Sequence, residues 1–310
     1  MRPFQQLPFS EVPEKPRVPH SFFSIPEKRI RVTTPEFGET EASVRVLGSG
    51  PPLLLVHGLM TTSYSWRYVF ERLAQDYTVY AMDLPGVGRT SKPDVAYTPD
   101  ALAEWLHALQ AELGIAPCRV IGNSMGGYIT LIWALKHPEA ISRLIVLHSP
   151  AAPLARMWAL WAATRIPFAV SVLKLVVGDH LRWAHRNVHY YDETLKSLEE
   201  AHEYGDPLSE RDGLIGFLGH LRDTMSVRRL GQFRDTLQER VANKQPFPVP
   251  TQLIYAKQDP MVPPEIGHRL ASWIPDAEMV WLDEASHFAH VDAPERFLEP
   301  TLRFLAAAQA

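Results

Sequence analysis

The sequence has a single cysteine, Cys118, among its 310 residues. One thiol excludes an intramolecular disulfide bond, so the fold cannot depend on an oxidising compartment for its stability. Cys118 begins an apolar run of residues, and this position predicts a buried structural thiol rather than a reactive one.

Basic clusters and long uninterrupted apolar runs are also missing. The formal net charge is -4, which argues against nucleic acid as a partner. Residues 1–6 lack the continuous apolar segment of a secretory signal peptide. The longest apolar stretch, 154–177, contains three cations and a proline, which a spanning helix would bury in lipid: Arg156, Arg165, Lys174 and Pro167. We therefore expect a cytoplasmic protein without an integral membrane span.

The most informative stretch that is present is 120–127, Val-Ile-Gly-Asn-Ser-Met-Gly-Gly. It begins as an apolar strand, passes through Ser124 between glycines, and continues into a helix-like segment, 128–136. Gly122 and Gly126 relieve the crowding where strand and helix meet, and the sharp turn exposes the serine hydroxyl. The helix directs its first amide groups to the same place, which favours a developing negative charge. Such a match arises by chance in roughly one chain in ten of this length, so other motifs must support it.

Apolar patterns along the chain predict an α/β domain. Two segments alternate apolar and polar residues, as half-buried antiparallel strands do: 29–33 and 42–47. Six segments are more continuously apolar, as interior parallel strands are: 52–56, 77–82, 118–122, 144–147, 251–256 and 278–282. Helices are predicted at 65–75 and 99–113. The alternation of strands and helices predicts a mostly parallel central sheet flanked by helices.

Composition divides the chain into three parts. Residues 1–26 contain six prolines and no helix or strand period, which predicts an extended N-terminal arm lying on a surface. From 153 to 246 the pattern is helical throughout and contains no convincing strand. The simplest interpretation is a helical cap at 153–246, inserted into a core formed by 27–152 and 247–310.

Four predicted strands end in residues that carry chemistry: His57, Asp83, Asp259 and, after a short loop, His287. In open parallel sheets, ligand sites gather outside the carboxyl ends of the strands. A serine hydroxyl needs a base to remove its proton, and histidine held by a carboxylate suits that task. Ser124, Asp259 and His287 follow one another in the order nucleophile, acid, base.

Together these motifs resemble the α/β-hydrolase superfamily. The resemblance rests on His-Gly-Leu-Met at 57–60, Gly-Asn-Ser-Met-Gly-Gly at 122–127, Asp-Pro-Met-Val-Pro at 259–263 and Ser-His at 286–287. It covers 27–152 and 247–310, whereas the cap matches only in position and helical character. The family often has glycine where Ala256 and Ser286 stand, although neither position supplies a functional side chain.

The resemblance implies a role for each site residue. Ser124 is the expected nucleophile, His287 the general base and then acid, and Asp259 the orienting carboxylate. The backbone N–H groups of Leu59 and Met125 are the expected oxyanion hole. Neither a cofactor nor a metal ion is implied.

Several residues offer alternatives to these assignments. His290 also lies near the end of the chain, and Asp283 and Glu284 are carboxylates close to the base, but the motifs favour His287 and Asp259. In the resemblance His57 is structural and holds the oxyanion loop.

Two further motifs suggest binding sites that we do not favour. Asp83 precedes a G-x-G that lacks the third glycine of a phosphate loop, so a structural turn is expected. His185, His189 and Glu193 are spaced by four, as metal ligands on a helix face can be, but they match no zinc signature and are interpreted as a solvated or cap-facing set.

The identity of the nucleophile limits the reactions that the protein can catalyse. Haloalkane dehalogenases and epoxide hydrolases resemble this chain but use aspartate where Ser124 stands, so those activities are disfavoured. The elbow resembles that of carbon–carbon bond hydrolases acting on ring-cleavage products, yet residues 59–62 do not match their glycine-rich oxyanion loop.

We therefore expect a serine esterase that cleaves small-molecule carboxylic esters of small to medium acyl chains through an acyl-enzyme. The alternatives are a carbon–carbon hydrolase acting on diketone or dienone acids, a lipase-like hydrolase with an interfacial cap, and a receptor without turnover. The sequence leaves open whether copies of the chain form a homo-oligomer.

Overall fold

A computed structural model describes residues 3–153 and 155–307, and an eight-stranded sheet organises them. In chain order the strands are β1 (Glu27–Thr34), β2 (Gly38–Leu47), β3 (Pro52–Val56), β4 (Thr78–Met82), β5 (Cys118–Asn123), β6 (Ile141–Leu147), β7 (Thr251–Ala256) and β8 (Glu278–Leu282). Their order across the sheet is β1-β2-β4-β3-β5-β6-β7-β8.

The sheet is parallel from β4 to β8, whereas β2 pairs antiparallel with both β1 and β4. This arrangement follows from the residue pattern. In β3 the apolar run 53–56 is completely buried, as befits a strand covered by helices on both faces. In β1 and β2 buried residues alternate in part with exposed ones. The predicted mostly parallel sheet, with its two antiparallel strands at the start, is confirmed.

Helices cover the sheet and fill the interval between β6 and β7. The first three are α1 (Phe70–Ala74), α2 (Pro99–Leu113) and α3 (Met125–Lys136). Between β6 and β7 come α4 (Ala155–Ala163), α5 (Ala169–Val177), α6 (His180–Asn187), α7 (Leu198–Gly205), α8 (Arg211–Gly219) and α9 (Val227–Ala242). The last three are α10 (Pro264–Trp273), α11 (Ala289–Asp292) and α12 (Pro294–Ala306). Throughout the described chain, no helix combines the length and the apolar character needed to cross a membrane.

Helix α2 has the bounds that the sequence predicts because local residues fix both ends. The Thr98 hydroxyl accepts a hydrogen bond from the backbone N–H of Ala101, and Pro99 occupies the first turn. Gly114 closes the helix with φ +65°, a conformation that glycine adopts without a Cβ clash.

The helix predicted at 65–75 is wrong in extent. A 3-10 turn, Ser63–Trp66, comes first, and the α-helix begins only at Phe70. Tertiary contacts explain the difference, because the Asp83 carboxylate accepts from the backbone N–H of Ser63 at 2.8 Å and the Thr62 hydroxyl accepts from that of Tyr64. Those bonds fix the turn at a position where the periodicity alone suggests a regular helix.

The N-terminal arm lies on the inserted helices of its own chain. Backbone N–H groups of Leu198 and Glu199, at the start of α7, donate to the carbonyls of Pro13 and Glu14 at 2.8 and 3.0 Å. The Glu199 carboxylate also accepts from His20 at 2.9 Å. The arm contains 3-10 turns at Phe9–Glu11 and Phe22–Ser24, which its proline-rich sequence did not indicate.

Cys118 is buried, as its position predicts. Burial raises the pKa of its thiol to about 12, which keeps it protonated near neutral pH. The Gln110 amide donates to its sulfur at 3.1 Å. The cysteine therefore acts as a packed core residue.

A buried ion pair joins the connection between β3 and β4 to the inserted helices. The Arg67 guanidinium, which follows the 3-10 turn, meets the Glu200 carboxylate of α7 at 2.5 Å, and both side chains are almost fully buried. Burial alone would lower the pKa of Arg67, but the Glu200 carboxylate raises it well above its ordinary value. Tyr190 donates its hydroxyl to the same carboxylate. The Glu200 carboxylate therefore has two buried donors, whereas Nε of Arg67 has no hydrogen-bond partner within the described residues.

Removing one partner of this pair is expected to leave a buried charge unmatched. Glu200→Gln should lower the free energy of unfolding by about 3 kcal/mol, measured by urea denaturation. The matched control is Asp76→Asn, which removes the same charge from the exposed i,i+4 pair with Arg72 and should change stability by less than about 0.5 kcal/mol. Equal effects of the two variants would contradict this interpretation.

Candidate active site

Ser124 occupies a strained turn between β5 and α3. Its backbone has φ +54° and ψ −120°, which costs a residue with a Cβ about 1–3 kcal/mol. The turn is held by a 2.7 Å hydrogen bond from the Ser124 N–H to the carbonyl of Leu147, the last residue of β6. The predicted strand–helix elbow is therefore present, and the surrounding backbone stabilises it.

Glycines allow α3 to begin this close to the sheet. A Cβ at Gly126 would lie 2.4 Å from the carbonyl oxygen of His57 and 2.5 Å from that of Val56. A Cβ at Gly122 would lie 2.6 Å from the Thr130 hydroxyl. Because neither site has room for a side chain, the glycine spacing of the motif has a steric cause.

Asp259 and His287 form a buried pair, as the sequence predicts. The Nδ1 atom of His287 lies 2.7 Å from Oδ2 of Asp259, and both side chains are excluded from solvent. Burial by itself would raise the pKa of Asp259, but the electrostatic effect and the hydrogen bond of the His287 ring outweigh it and the pKa falls. The carboxylate is therefore ionised, and Nδ1–H of His287 donates to it, which leaves Nε2 available as a base.

The other oxygen of Asp259 fixes the loop that carries it. Oδ1 accepts hydrogen bonds from the backbone N–H groups of Met261 and Val262, at 2.6 and 2.9 Å. Asp283 and Glu284, the alternative acids, instead form exposed ion pairs with Lys257 and Arg296. The structure thus brings Asp259, and neither alternative, to His287.

The elbow contacts both the loop of His287 and the loop after β3. The Asn123 amide donates to the backbone carbonyl of His287 at 3.2 Å. A Cβ built at Gly58 would lie 3.1 Å from the Cβ of Ser124, so the loop that continues into Leu59 passes beside the serine. Met125 is the first residue of α3, and its N–H consequently has no acceptor within the helix.

His57 has the structural role that the resemblance implies. Its Nδ1 donates to the Gly58 carbonyl at 2.8 Å and its Nε2 accepts from the backbone N–H of Leu84 at 2.9 Å. Complete burial lowers its pKa, so the ring is neutral and both nitrogens are used. Met60, three residues after His57 in the same loop, has φ +66°.

Asp83 likewise belongs to a structural turn. Its two carboxylate oxygens accept from the backbone N–H groups of Ser63 and Arg89. A Cβ at Gly88 would lie 2.2 Å from the same carboxylate. The glycine therefore makes room for this carboxylate, and the segment is not arranged around a phosphate.

His148 is a site residue that the sequence interpretation missed. It directly follows β6, has φ +52°, and its ring centre lies 5.4 Å from that of His287. Its Nε2 accepts from the backbone N–H of Ala256 at 2.7 Å, and burial lowers its pKa to about 3. The signal was available, because His148 follows the carboxyl end of a strand just as His57 does.

His148, Asp259 and His287 also form the one cluster of potential metal ligands in residues 3–153 and 155–307. Their nearest ligand atoms lie within 4.8 Å of one another. Two of them are already hydrogen-bonded to each other, so an ion would have to compete with that bond. We assign no metal to the cluster.

His290 is buried among aromatic rings. It packs on Trp66 with ring centres 4.3 Å apart, close to Phe288 and Phe297. Neither of its ring nitrogens has a hydrogen-bond partner within the described residues. Burial lowers its pKa well below the ordinary histidine value. Of the two histidines near the end of the chain, only His287 contacts Asp259.

The suggested row of His185, His189 and Glu193 does not lie on one helix face. Helix α6 ends at Asn187, and Glu193 begins a separate 3-10 turn. The His185 ring donates to the carbonyl of Leu7 in the arm, and Glu193 pairs with Lys196 at 2.6 Å. The loop between the two elements breaks the helical spacing on which that alternative depended.

Inserted helices pack directly on the loop after β3. Leu59 and Met60 contact an apolar cluster whose buried members come from α5, α8 and the segment between α7 and α8: Val177, Leu208, Leu214 and Phe217. Not every aromatic residue of this region is buried, because Trp158 is 58% exposed.

Two surface cavities lie away from the elbow. One, of about 460 Å³, is lined mainly by α4 and α9 and includes Trp161 and Arg229. The other, of about 580 Å³, lies between the arm and the segment before α12. Neither is lined by Ser124 or His287, so the candidate site is assigned from side-chain chemistry and geometry rather than from cavity size.

Comparison with known proteins identifies this architecture. A family model described as alpha/beta hydrolase fold matches residues 51–294. An esterase from Thermogutta terrifontis has a similar structure, with a TM-score of 0.66, 22% identity, and coverage of 90% of this chain and 98% of that one. At this identity the likeness bears on the fold alone.

Two relatives differ in the reactions that their names describe. The 2-hydroxy-6-oxo-6-(2'-aminophenyl)hexa-2,4-dienoic acid hydrolase of Metapseudomonas resinovorans is 27% identical over 277 residues, covering 87% of this chain and 89% of that protein. The pimeloyl-(acyl-carrier protein) methyl ester esterase of Aeromonas hydrophila is 27% identical over 262 residues, covering 83% and 96%. Both are hydrolases by name, and they leave the substrate class undetermined.

The close approach of Gly126 to the backbone of β3 predicts that a side chain at this position destabilises the fold. Gly126→Ala should lower the free energy of unfolding by about 2 kcal/mol or more, because its Cβ meets two backbone oxygens that cannot rotate away. Gly231→Ala is the control, since nothing lies within 4 Å of a Cβ there in α9, and the change should stabilise the helix by up to about 1 kcal/mol. Urea denaturation of both variants checks this. Gly126→Ala as stable as the parent would contradict the steric account.

Burial of His290 predicts acid sensitivity. Its folded-state pKa lies below its unfolded value, so the unfolded state binds one more proton below about pH 6.5 and stability falls as the pH falls. His290→Phe should keep the aromatic packing and reduce the loss of stability between about pH 6.5 and 5 by roughly 1.5 kcal/mol.

The control for this prediction is His268→Phe. His268 packs on Trp281 with the same ring separation, 4.3 Å, but it is exposed to water in the folded protein. Comparison of the two variants separates the effect of burial from the effect of losing a histidine that is stacked on tryptophan. The same slope for His290→Phe and the parent would refute the assignment of His290 as a buried neutral ring.

Proposed function

Because the chain belongs to the α/β-hydrolase fold family, we propose that it is a serine hydrolase that cleaves carboxylic esters of small to medium acyl chains. The single observation that carries the proposal is the buried His287–Asp259 pair, linked by Asn123 to the strained elbow at Ser124. Such strain is typical of residues whose position serves a reaction.

In the first half of the proposed reaction, Oγ of Ser124 attacks the ester carbonyl carbon while Nε2 of His287 takes its proton. Asp259 holds Nδ1–H and stabilises the resulting imidazolium. The tetrahedral oxyanion accepts hydrogen bonds from the N–H groups of Leu59 and Met125, each worth on the order of 3 kcal/mol in the transition state. The carbon–oxygen bond then breaks, and the imidazolium gives its proton to the departing alcohol.

The second half repeats these roles with water. His287 removes a proton from a water molecule, whose oxygen attacks the acyl carbon bonded to Ser124. The bond to Oγ breaks, the serine regains the proton from His287, and the carboxylic acid leaves. No cofactor or metal ion takes part in this scheme.

Residues 153–246 are proposed as the cap that limits the substrate. Their cluster around Phe217 contacts Leu59 and Met60, the residues next to the proposed oxyanion hole. An apolar cap at this position would favour apolar acyl chains and would limit their length.

A carbon–carbon hydrolase acting on ring-cleavage acids is the second candidate, supported by the likeness to the dienoic acid hydrolase. Both reactions can use the same three side chains, so the substrate must distinguish them. Residues 59–62, Leu-Met-Thr-Thr, lack the glycines expected of the oxyanion loop in that class. For this reason we favour the ester.

Hydrolysis of p-nitrophenyl esters from acetate to palmitate tests the proposal. Turnover should be greatest for short or middle chains, and Ser124→Ala should reduce it by about 10⁴-fold or more without unfolding the protein. Ser272→Ala is the control, because that hydroxyl donates an exposed hydrogen bond to the carbonyl of Arg269 within α10. A folded and active Ser124→Ala variant would refute the assignment of the nucleophile.

The same preparation should be offered a ring-cleavage dienone acid, whose loss is followed by absorbance. Ester turnover well above dienone turnover is expected. The reverse ratio, again lost in Ser124→Ala, would move the assignment to the carbon–carbon hydrolase. Folded protein inactive on both substrates would favour a receptor.

A further inference from the structure

Exposed apolar side chains concentrate on α4, α5 and the turn between them. Of the ten large apolar side chains exposed in the described part of the chain, seven lie between 158 and 176. We call these seven the α4–α5 face: Trp158, Leu160, Ile166, Phe168, Val172, Leu175 and Val176. Phe168 and Leu175 are 83% and 82% exposed, although both are large hydrophobic residues. Exposed apolar side chains concentrated in this way are a feature of interaction sites on soluble proteins.

Helix α5 is apolar on both sides. Its inner residues Val170, Leu173 and Val177 join the cluster that includes Phe217 of α8. Its outer residues follow Phe168 at the spacing of one helix face, as Val172, Leu175 and Val176. The outer side of a surface helix is normally polar because it faces water. The apolar outer side of α5 therefore indicates an apolar partner that the single chain does not supply.

Charge indicates what that environment is. Positions 154–178 contain Arg156, Arg165 and Lys174 and no aspartate or glutamate, in a chain whose formal net charge is -4. The guanidinium of Arg165 lies 4.1 Å from the ring centre of Trp161, beside the apolar residues. Asp223, which lines the same surface cavities as Arg165, is paired with Arg222 at 2.9 Å. Within the segment itself, apolar side chains are flanked by cations alone, and this combination complements a surface that is both apolar and anionic.

We propose that the α4–α5 face docks on an anionic lipid surface. A second copy of the chain is a poorer occupant, because a two-fold contact would bring the cations of one face against those of the other with no acid in the segment to neutralise them. A lipid surface offers acyl chains to Phe168 and Leu175 and headgroup phosphates to Arg165 and Lys174. The cations that argue against a spanning helix suit a helix lying in the interface.

Docking would place lipid next to the candidate site. The inner side of α5 belongs to the same cluster as Leu59 and Met60, so one helix separates the docked face from the loop beside Ser124. Esters dissolved in the lipid would then be the nearest substrates, a consequence that rests on the proposed function. Docking itself requires no hydrolysis.

The test is co-sedimentation of the full chain with vesicles of phosphatidylcholine, with and without phosphatidylglycerol. Binding is expected to be stronger to the anionic vesicles and to weaken with salt. The double variant Phe168→Ser, Leu175→Ser should bind at least about tenfold more weakly, because both side chains would lose their burial in lipid. Both are more than four-fifths exposed, so the variant should fold as the parent does.

Matched variants separate the contributions. Val241→Ser, an exposed apolar residue on α9, should leave vesicle binding unchanged. Lys174→Gln should weaken binding to anionic vesicles without affecting binding to neutral ones. Ser124→Ala should bind vesicles as the parent does, because docking requires no hydrolysis.

Three outcomes would overturn the proposal: no binding to anionic vesicles, equal binding of the parent and the double variant, or a dimer in light scattering without vesicles that the double variant abolishes. The last result would assign the face to a second copy of the chain. Vesicle binding without ester hydrolysis would instead retain the docking surface and reject the esterase, so the two proposals fail separately.

Discussion

The close approach of α3 to β3 is the constraint on which the candidate site depends. Gly126 lies so near the carbonyls of Val56 and His57 that no side chain fits between them. This contact sets the start of the helix against the end of the strand and brings Gly58 beside Ser124. The unfavourable φ of the serine follows from the same contact, because the chain must reverse within one residue. Packing over the rest of α3, which is buried along most of its length, compensates for that strain.

The loops at the strand ends are also held by hydrogen bonds from buried side chains. His57 accepts from Leu84 after β4, and His148 accepts from Ala256 at the end of β7. Asn123 donates to the carbonyl of His287. Each bond ties one strand-end loop to another through a buried polar group, and such groups are costly to leave unpaired. The relative positions of the loops are therefore determined more firmly than surface loops usually are.

What could be predicted from the sequence depended on how local the determining interactions are. The elbow, the order of Ser124, Asp259 and His287, and the bounds of α2 all depend on local residue chemistry that a motif or a cap makes visible. The extent of α1, the packing of His290 on Trp66 and the position of Glu193 depend on residues distant in sequence. His148 falls between the two cases. Its position at the end of a strand could be predicted from the sequence, but its proximity to His287 could be predicted only with knowledge of the strand order in the sheet.

The stretch from 154 to 177 illustrates how one composition supports different structures. Its apolar content suggests a membrane segment, while its cations and Pro167 argue against a spanning one. Folding divides it into short helices, and α5 uses one side for the cluster beneath it while the other remains apolar and exposed. A helix that only covered the protein would gain nothing from Leu175 or Phe168 on its outer side. The exposure of these apolar side chains is explained only if an apolar partner covers them. The neighbouring cations favour a partner that is also anionic.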